Sequence, residues 1–106
     1  MKFAGTWHIQ DMDMWDKHYL NMEVQAYIKI EPSNLGTFQF GLVSGQLDGE
    51  VSEINGQEIF YFSWEGNDEN DQVSGGGWCR LKNDNALEGR IKLHLGDSSG
   101  FRAVRA

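Results

Sequence analysis

The stretch GWCRLKNDNALEGRIKLHL, residues Gly77–Leu95, alternates apolar with polar or charged side chains on both sides of Asn83-Asp84-Asn85. Alternation with a period of two is typical of β-strands that bury one face. A short run of Asn and Asp between two such segments is typical of a tight turn. This stretch therefore predicts two antiparallel strands joined as a hairpin.

The same pattern extends through most of the chain. Asn55-Gly56, a dipeptide that favours type I′ turns, separates two more alternating segments. We expect about eight strands, with the others at Phe3–Gln10, Val24–Glu31, Thr37–Val43, Leu47–Ile54, Gln57–Trp64 and Gly100–Arg105. Because no helical crossover fits between them, the sheet must be antiparallel, and closure into a barrel removes its exposed edges. The predicted fold class is all-β, a small antiparallel up-and-down eight-strand barrel.

One segment departs from the period of two. Apolar side chains recur there at spacings of 3, 4 and 3, which is one face of a helix: Met12, Trp15, Tyr19 and Met22. Asp13, with Asp16 three residues later, gives an N-terminal cap. We predict a short helical segment within Asp11–Met22, between strands one and two, that serves either as a plug over one barrel end or as a lid over a cavity.

Composition bounds the function. The 106 residues fit one domain, and the net charge of −7, from 9 bases and 16 acids, argues against nucleic-acid binding, which needs a basic field. The lone cysteine, Cys79, excludes an internal disulfide and favours a reducing compartment. The chain has no signal-peptide pattern and no apolar run of membrane-spanning length. We therefore expect a cytoplasmic protein that binds neither nucleic acid nor membrane.

Gly5-Thr6-Trp7, at the start of the first strand, resembles the G-x-W signature of the calycin barrels, which include lipocalins, fatty-acid-binding proteins and avidins. In those families the tryptophan packs at the closed end, and a basic residue of the last strand lies across its ring. The resemblance implies a single calycin-like domain over residues 1–106 with Gly5 and Trp7 as structural residues. It also implies that Arg102 or Arg105 lies over the indole, a contact worth about 0.5–2 kcal/mol.

The segment Glu65–Gly77 reads as a long irregular loop, and loops of that length in compact domains are often functional. It carries four carboxylates, those of Glu65, Asp68, Glu69 and Asp71. Their spacing lacks the D-x-[DN]-x-[DN]-G pattern of a calcium loop, and the histidines lack zinc spacing. We expect a solvated acidic loop, no metal and no cofactor.

Strand direction alternates in a meander, so the helical segment after strand one and the loop after strand five emerge at the same rim. We predict the ligand-binding residues at this rim: Trp15, Tyr19, Trp64, Glu65, Asp68 and Trp78. An aromatic mouth with a polar fringe suits a small, partly apolar molecule of unknown identity. The leading interpretation is non-covalent binding of such a ligand at the barrel mouth.

Two alternatives stay open. The fifth strand carries apolar side chains on both faces, which would suit a filled-core module that binds a partner protein or forms a homodimer. An enzyme that uses Glu65 or His94 as acid or base is the third class, and no catalytic residue is assigned. His94 shares a strand face with Glu88, Arg90 and Lys92, and alternation places that face outside the barrel.

Overall fold

The computed structural model describes residues 1–106 as eight strands and one short helix. The strands are β1 (Gly5–Met12), β2 (Tyr27–Ile30), β3 (Leu35–Phe40), β4 (Val43–Ile54), β5 (Gln57–Asp68), β6 (Asp71–Asn83), β7 (Ala86–Leu93) and β8 (Ser98–Arg105), and the helix α1 (Lys17–Leu20) lies between β1 and β2. Each strand pairs antiparallel with the next, and β8 pairs with β1, so the sheet closes into a barrel. The predicted all-β eight-strand barrel is confirmed.

Apolar side chains fill the interior of the barrel, because alternate residues of each strand point inward. Twenty buried residues form one contiguous cluster. Its largest fully buried members are Trp7, Phe3, Phe38, Phe40, Phe60 and Phe101. Cys79 is buried among them, as predicted, and desolvation raises the pKa of its thiol. The thiol is therefore a packing group and not a nucleophile at neutral pH.

Trp7 closes one end of the barrel. Its side chain is completely buried, and its Nε1 donates to the carbonyl oxygen of Phe3 at 2.9 Å. The guanidinium of Arg105 lies 4.0 Å from the centroid of the indole ring. Of the two arginines that the sequence offered for this position, Arg105 and not Arg102 lies over the tryptophan.

The guanidinium of Arg105 also joins three parts of the chain. It donates to the carbonyl oxygens of Ala4 at 3.0 Å and Lys2 at 3.3 Å, and to that of Asp84 at 3.0 and 3.1 Å. One side chain therefore fastens the N-terminal segment and the β6–β7 turn to the end of β8.

Arg102 lies near the other end of the seam, the pair of strands β1 and β8 that closes the barrel. Its guanidinium pairs with the carboxylates of Asp11 and Asp13, the latter at 2.7 Å. Hydrogen bonds from Arg102 lower the pKa of the Asp13 carboxyl, and the hydrogen bonds to Asp11 and Asp13 raise the pKa of Arg102. Beside them, the hydroxyl of the buried Ser99 accepts from Met14 N at 3.1 Å. These contacts fasten the segment after β1 to β8.

The predicted short helical segment within Asp11–Met22 is confirmed as α1, between β1 and β2. β1 continues to Met12, and α1 has a single turn. Its N-cap is Asp16, whose carboxylate accepts from Tyr19 N at 3.0 Å. Asp13 is not the cap, because its carboxylate is engaged by a guanidinium of β8.

α1 packs onto the barrel end as a plug. Leu20 is completely buried, and its carbonyl oxygen accepts from Gly41 N at 2.9 Å. The ring of Tyr19 lies against Gly41, where a Cβ would be 2.2 Å from it, and its hydroxyl accepts from Leu42 N at 3.3 Å. Of the two predicted roles, the plug agrees with these contacts.

The sequence predicts an irregular loop at Glu65–Gly77, and this prediction is wrong. β5 continues to Asp68 and β6 begins at Asp71, so the segment is the end of a long hairpin. Its few apolar residues and three successive glycines hide the period of two. The glycines have a packing role at Gly75, where a Cβ would lie 1.8 Å from the carbonyl oxygen of Lys92.

No helix in the structure has the length and apolar character that crossing a membrane would require.

Candidate functional site

The structure contains a cleft of about 940 Å³ that is lined mainly by polar residues on the outer face of the barrel, from β2 to the turn after β7. Alternate positions of each strand point to opposite faces. The positions next to the lining residues, such as Leu47 and Trp64, are buried in the interior. The polar side chains of the cleft therefore point away from the core.

Cross-strand register arranges these side chains in two rows. The first row is Thr37, Gln46, Glu65 and Ser74, each paired with the next, and it continues to His94, whose backbone N donates to Ser74 O at 2.7 Å. The second row is Tyr27, Gln39, Ser44, Asn67 and Gln72, again each paired with the next, and all but Gln39 line the cleft. Side chains that are opposite each other in a sheet lie about 5 Å apart. The cleft therefore presents hydroxyls and amides side by side, with one carboxylate and one imidazole.

Glycines between the two rows explain how the outer face of a barrel comes to be concave. Gly45 and Gly66 pair directly with each other. A Cβ on Gly66 would lie 1.9 Å from the carbonyl oxygen of Ser44, so the strands approach more closely here than a side chain would allow. Glycine positions of this kind let long strands bend sharply.

The polar groups of the cleft are free of internal partners. The amide of Gln39 donates to Gly41 O at 3.4 Å, and no other side chain of the two rows makes a hydrogen bond or ion pair within the protein. On the neighbouring face some polar side chains are paired, for example Arg80 with Glu88 at 2.9 Å and Arg90 with Ser98 at 3.0 Å. The side chains of the cleft are therefore available to a ligand.

The connections after β1 and β5 emerge at the same rim, as predicted, since Leu42 O accepts from Glu69 N and Leu42 N donates to the hydroxyl of Tyr19. The side chains predicted at this rim nevertheless have different surroundings. Glu65 lines the cleft. Asp68 is half-buried at the end of β5 and is not part of the lining. Trp15 and Tyr19 stack at the plugged end with ring centroids 6.1 Å apart, and Trp15 lies 4.9 Å from the ring of Phe40.

The other two predicted indoles lie on opposite sides of the barrel wall. Trp64 points inward, is 3% exposed, meets Phe38 edge to face at 5.0 Å and donates from Nε1 to Lys92 O at 3.2 Å. Trp78 pairs with the exposed Tyr61 and has the guanidinium of Arg80 5.6 Å from its ring centroid. The register of β5 and β6 therefore gives the three indoles different surroundings, and their role in ligand binding stays a prediction.

Sequence reasoning missed most of the cleft. Thr37, Gln46, Asn67, Gln72 and Ser74 are polar residues on alternate positions of their strands. Any solvent-facing strand carries such residues, so composition did not single them out. Only the register of β3 to β6 shows that they form adjoining rows. The one available signal was that these positions carry few formal charges in a chain with 24% charged residues.

The face that carries Glu88, Arg90, Lys92 and His94 points outward, as predicted. Beside the cleft it forms a second pocket of about 290 Å³, lined by Ser74, Gly75, Gly76, Lys92 and His94. Ser74 and His94 belong to both cavities, so the two adjoin. Glu65 and His94 stand two strands apart, about 10 Å, which is too far for a shared proton.

The fold and these cavities define a closed eight-strand antiparallel barrel with a polar cleft on its outer wall. Comparison of the chain with protein-family models, curated proteins and solved structures gives no match. No three His, Cys, Asp or Glu side chains converge in a way that could hold a metal ion.

Proposed function

We propose that the protein binds a small, hydroxyl-rich molecule non-covalently in the cleft on the outer face of β3 to β7. The observation that carries this proposal is the pair of polar rows, whose side chains line a cleft of about 940 Å³ and have almost no partners of their own. Cavities of about 300–1,000 Å³ are the usual size of small-molecule sites.

The chemistry of the rows favours a hydroxylated ligand. Each amide of Gln46, Asn67 and Gln72 offers both a donor and an acceptor, as a sugar hydroxyl does, and Ser and Thr hydroxyls can rotate to suit either. The carboxylate of Glu65 accepts two hydroxyl hydrogens, and Tyr27 supplies a ring at one end of the second row. With the interior filled by apolar side chains, a polar ligand on the outer wall replaces the partly apolar ligand at the mouth.

The stack of Arg105 on Trp7 supports a calycin-like assignment of the barrel. It is the arrangement that the G-x-W resemblance leads one to expect, at a ring-to-guanidinium distance of 4.0 Å. Binding of small molecules is common in that class, and this supports a binding role. In this chain the proposed site is the outer wall and not the lumen.

The proposal is tested by titrating the ¹⁵N-labelled protein with a panel of neutral mono- and disaccharides. We expect the side-chain amide signals of Gln46, Asn67 and Gln72 to shift together. Gln46→Ala should weaken the affinity about tenfold, since it removes two hydrogen bonds. The matched control is Gln57→Ala, an exposed glutamine in the β4–β5 hairpin, which should leave the affinity unchanged.

Shifts that instead centre on Trp15 and Tyr19 would move the site to the plugged end and contradict the proposal. Equal losses of affinity in Gln46→Ala and Gln57→Ala would contradict it as well.

A further inference from the structure

The smaller pocket beside the cleft has the lining of an anion site. No apolar side chain contributes to it, and its walls are the Lys92 ammonium, the His94 imidazole and the Ser74 hydroxyl. All three can donate hydrogen bonds to an oxyanion. Gly75 and Gly76 form its floor, so a ligand can approach the β6 backbone there.

The backbone that carries these donors is held from inside the barrel and by hydrogen bonding within the wall. The indole of Trp64 donates from inside the barrel to Lys92 O at 3.2 Å, and His94 N donates to Ser74 O at 2.7 Å. Gly76 and Lys92 are direct partners in the sheet. The donors therefore start from fixed positions, which lowers the ordering cost of binding.

Charge is segregated toward this pocket. In a chain with 9 bases and 16 acids, the outer face of β6 to β8 carries five of the bases, Arg80, Lys82, Arg90, Lys92 and Arg102, and one carboxylate, that of Glu88. Glu88 pairs with Arg80, and Arg102 is paired with carboxylates of the β1 end. Lys82, Arg90 and Lys92 make no ion pair, and of these three Lys92 lines the pocket.

Gly76 gives an independent indication. A Cβ at Gly75 would lie 1.8 Å from Lys92 O and one at Gly77 2.5 Å from Arg90 O, so both glycines are required by strand packing. A Cβ at Gly76 would meet only Phe62 O at 3.5 Å, an ordinary contact. Packing does not require glycine at residue 76, but an open pocket floor does.

We propose that this pocket binds a phosphate group, and that the molecule in the adjoining cleft is a phosphorylated, hydroxyl-rich compound; the second half of this inference rests on the function proposed above. The two cavities share Ser74 and His94, so one molecule can fill both. The net charge of −7 opposes a long polyanion, whereas a single phosphate lies within a Debye length, about 8 Å, of the local cations.

Glu65 lowers the affinity of the pocket for phosphate, and its substitution therefore distinguishes phosphate binding from sugar binding. It pairs with Ser74 in the first row, so its carboxylate stands about 5 Å from that side chain and repels a phosphate. Glu65→Gln should therefore tighten the binding of inorganic phosphate two- to fivefold. The same substitution should weaken the binding of a neutral sugar, because the amide accepts one less hydrogen bond.

The experiment is calorimetric titration of the full chain with three probes: a hexose, the corresponding hexose 6-phosphate and inorganic phosphate. We expect the hexose phosphate to bind at least tenfold more tightly than either of the others. Lys92→Met should abolish this advantage. Lys82→Met is the matched control, an exposed lysine on the same face outside the pocket, and it should retain the advantage.

A second variant tests the pocket without removing a charge. Gly76→Val fills the floor with a β-branched residue that suits a strand, so the free energy of unfolding should be unchanged or higher while phosphate binding is lost. Gly75→Ala should instead destabilise the barrel strongly, since its Cβ meets backbone.

The outcomes separate the two proposals. Equal affinity for hexose and hexose phosphate, equal loss in Lys92→Met and Lys82→Met, or phosphate binding that survives Gly76→Val would each overturn the anion site. A different result would support the anion site and contradict the cleft proposal. In that case inorganic phosphate binds and Lys92→Met abolishes its binding, but the hexose does not bind and the hexose phosphate binds no more tightly than inorganic phosphate.

Discussion

Trp7 shows how one residue can organise the end of a barrel. Its indole is fully buried, its Nε1 is bonded to Phe3 O, and its face is covered by Arg105. The guanidinium is exposed at its edge, yet four hydrogen bonds to backbone oxygens fix its plane over the ring. The contact therefore combines a cation–π interaction with the fastening of two chain segments.

Replacing these two side chains should have unequal costs. Trp7→Ala should lower the free energy of unfolding by about 3–5 kcal/mol, as for a large buried aromatic. Arg105→Leu should cost about 1–3 kcal/mol, because it loses the ring contact and several hydrogen bonds. Urea titration measures both.

Arg80→Leu is the control for the arginine, since that guanidinium lies farther from its indole, 5.6 Å from the ring of Trp78, on the open surface. It should cost less than about 0.5 kcal/mol. A loss in Arg105→Leu no larger than this would mean that the stack does not stabilise the barrel end.

Single elements show what the sequence could predict and what it could not. The hairpin β6–β7 follows from Leu87, Ile91 and the Asn-Asp-Asn turn, because alternation reports directly on burial. The spacing of apolar residues predicts a short helix between β1 and β2, and α1 lies there. Asp13 looks like a cap in the sequence, and only the distant Arg102 shows why Asp16 takes that position.

α1 offers a sharp test of plug against lid. Leu20→Ala should lower the free energy of unfolding by about 2–5 kcal/mol, because Leu20 is completely buried in the core cluster. Met22→Ala, two residues beyond and 55% exposed, should change it by less than about 0.5 kcal/mol. Denaturant unfolding measures both. A mobile lid would give two small and similar values, and that result would contradict the plug.

At the scale of the whole molecule, closure depends on the seam between β1 and β8, the only pair of neighbours that are far apart in sequence. The alternation of residues predicted that closure was favourable, since it removes both sheet edges. It could not predict the cleft. The rows from Thr37 to His94 exist only because five segments meet in one register, and register is not visible in any one of them.

The seam should weaken in acid. Hydrogen bonds from Arg102 hold the pKa of Asp13 below its ordinary value of 3.8, so the folded protein takes up this proton less readily than the unfolded chain does. The resulting stabilisation is present above that ordinary value and is lost as the pH falls through the lower folded value. Asp13→Asn should therefore flatten the fall in the free energy of unfolding between pH about 5 and 2, measured by urea titration.

Asp84→Asn is the matched control, because Asp84 is an exposed turn residue without an ion pair. Its acid profile should follow that of the unaltered protein. Parallel profiles for all three proteins would show that the Asp13–Arg102 pair does not act on closure.

The backbone N of Ala106 donates to Thr6 O at 2.9 Å, so the first and last strands of the barrel end side by side. Because the barrel is a closed ring of strands, its strand pairing is compatible with a chain that begins at a different strand. A circular permutant that joins residue 106 to residue 1 through a few glycines, and opens the exposed Asn55-Gly56 turn, would keep every strand neighbour. Such a chain would leave Arg105 and Trp7 in the middle of one continuous segment, and would show whether the barrel needs β1 as its first strand to fold.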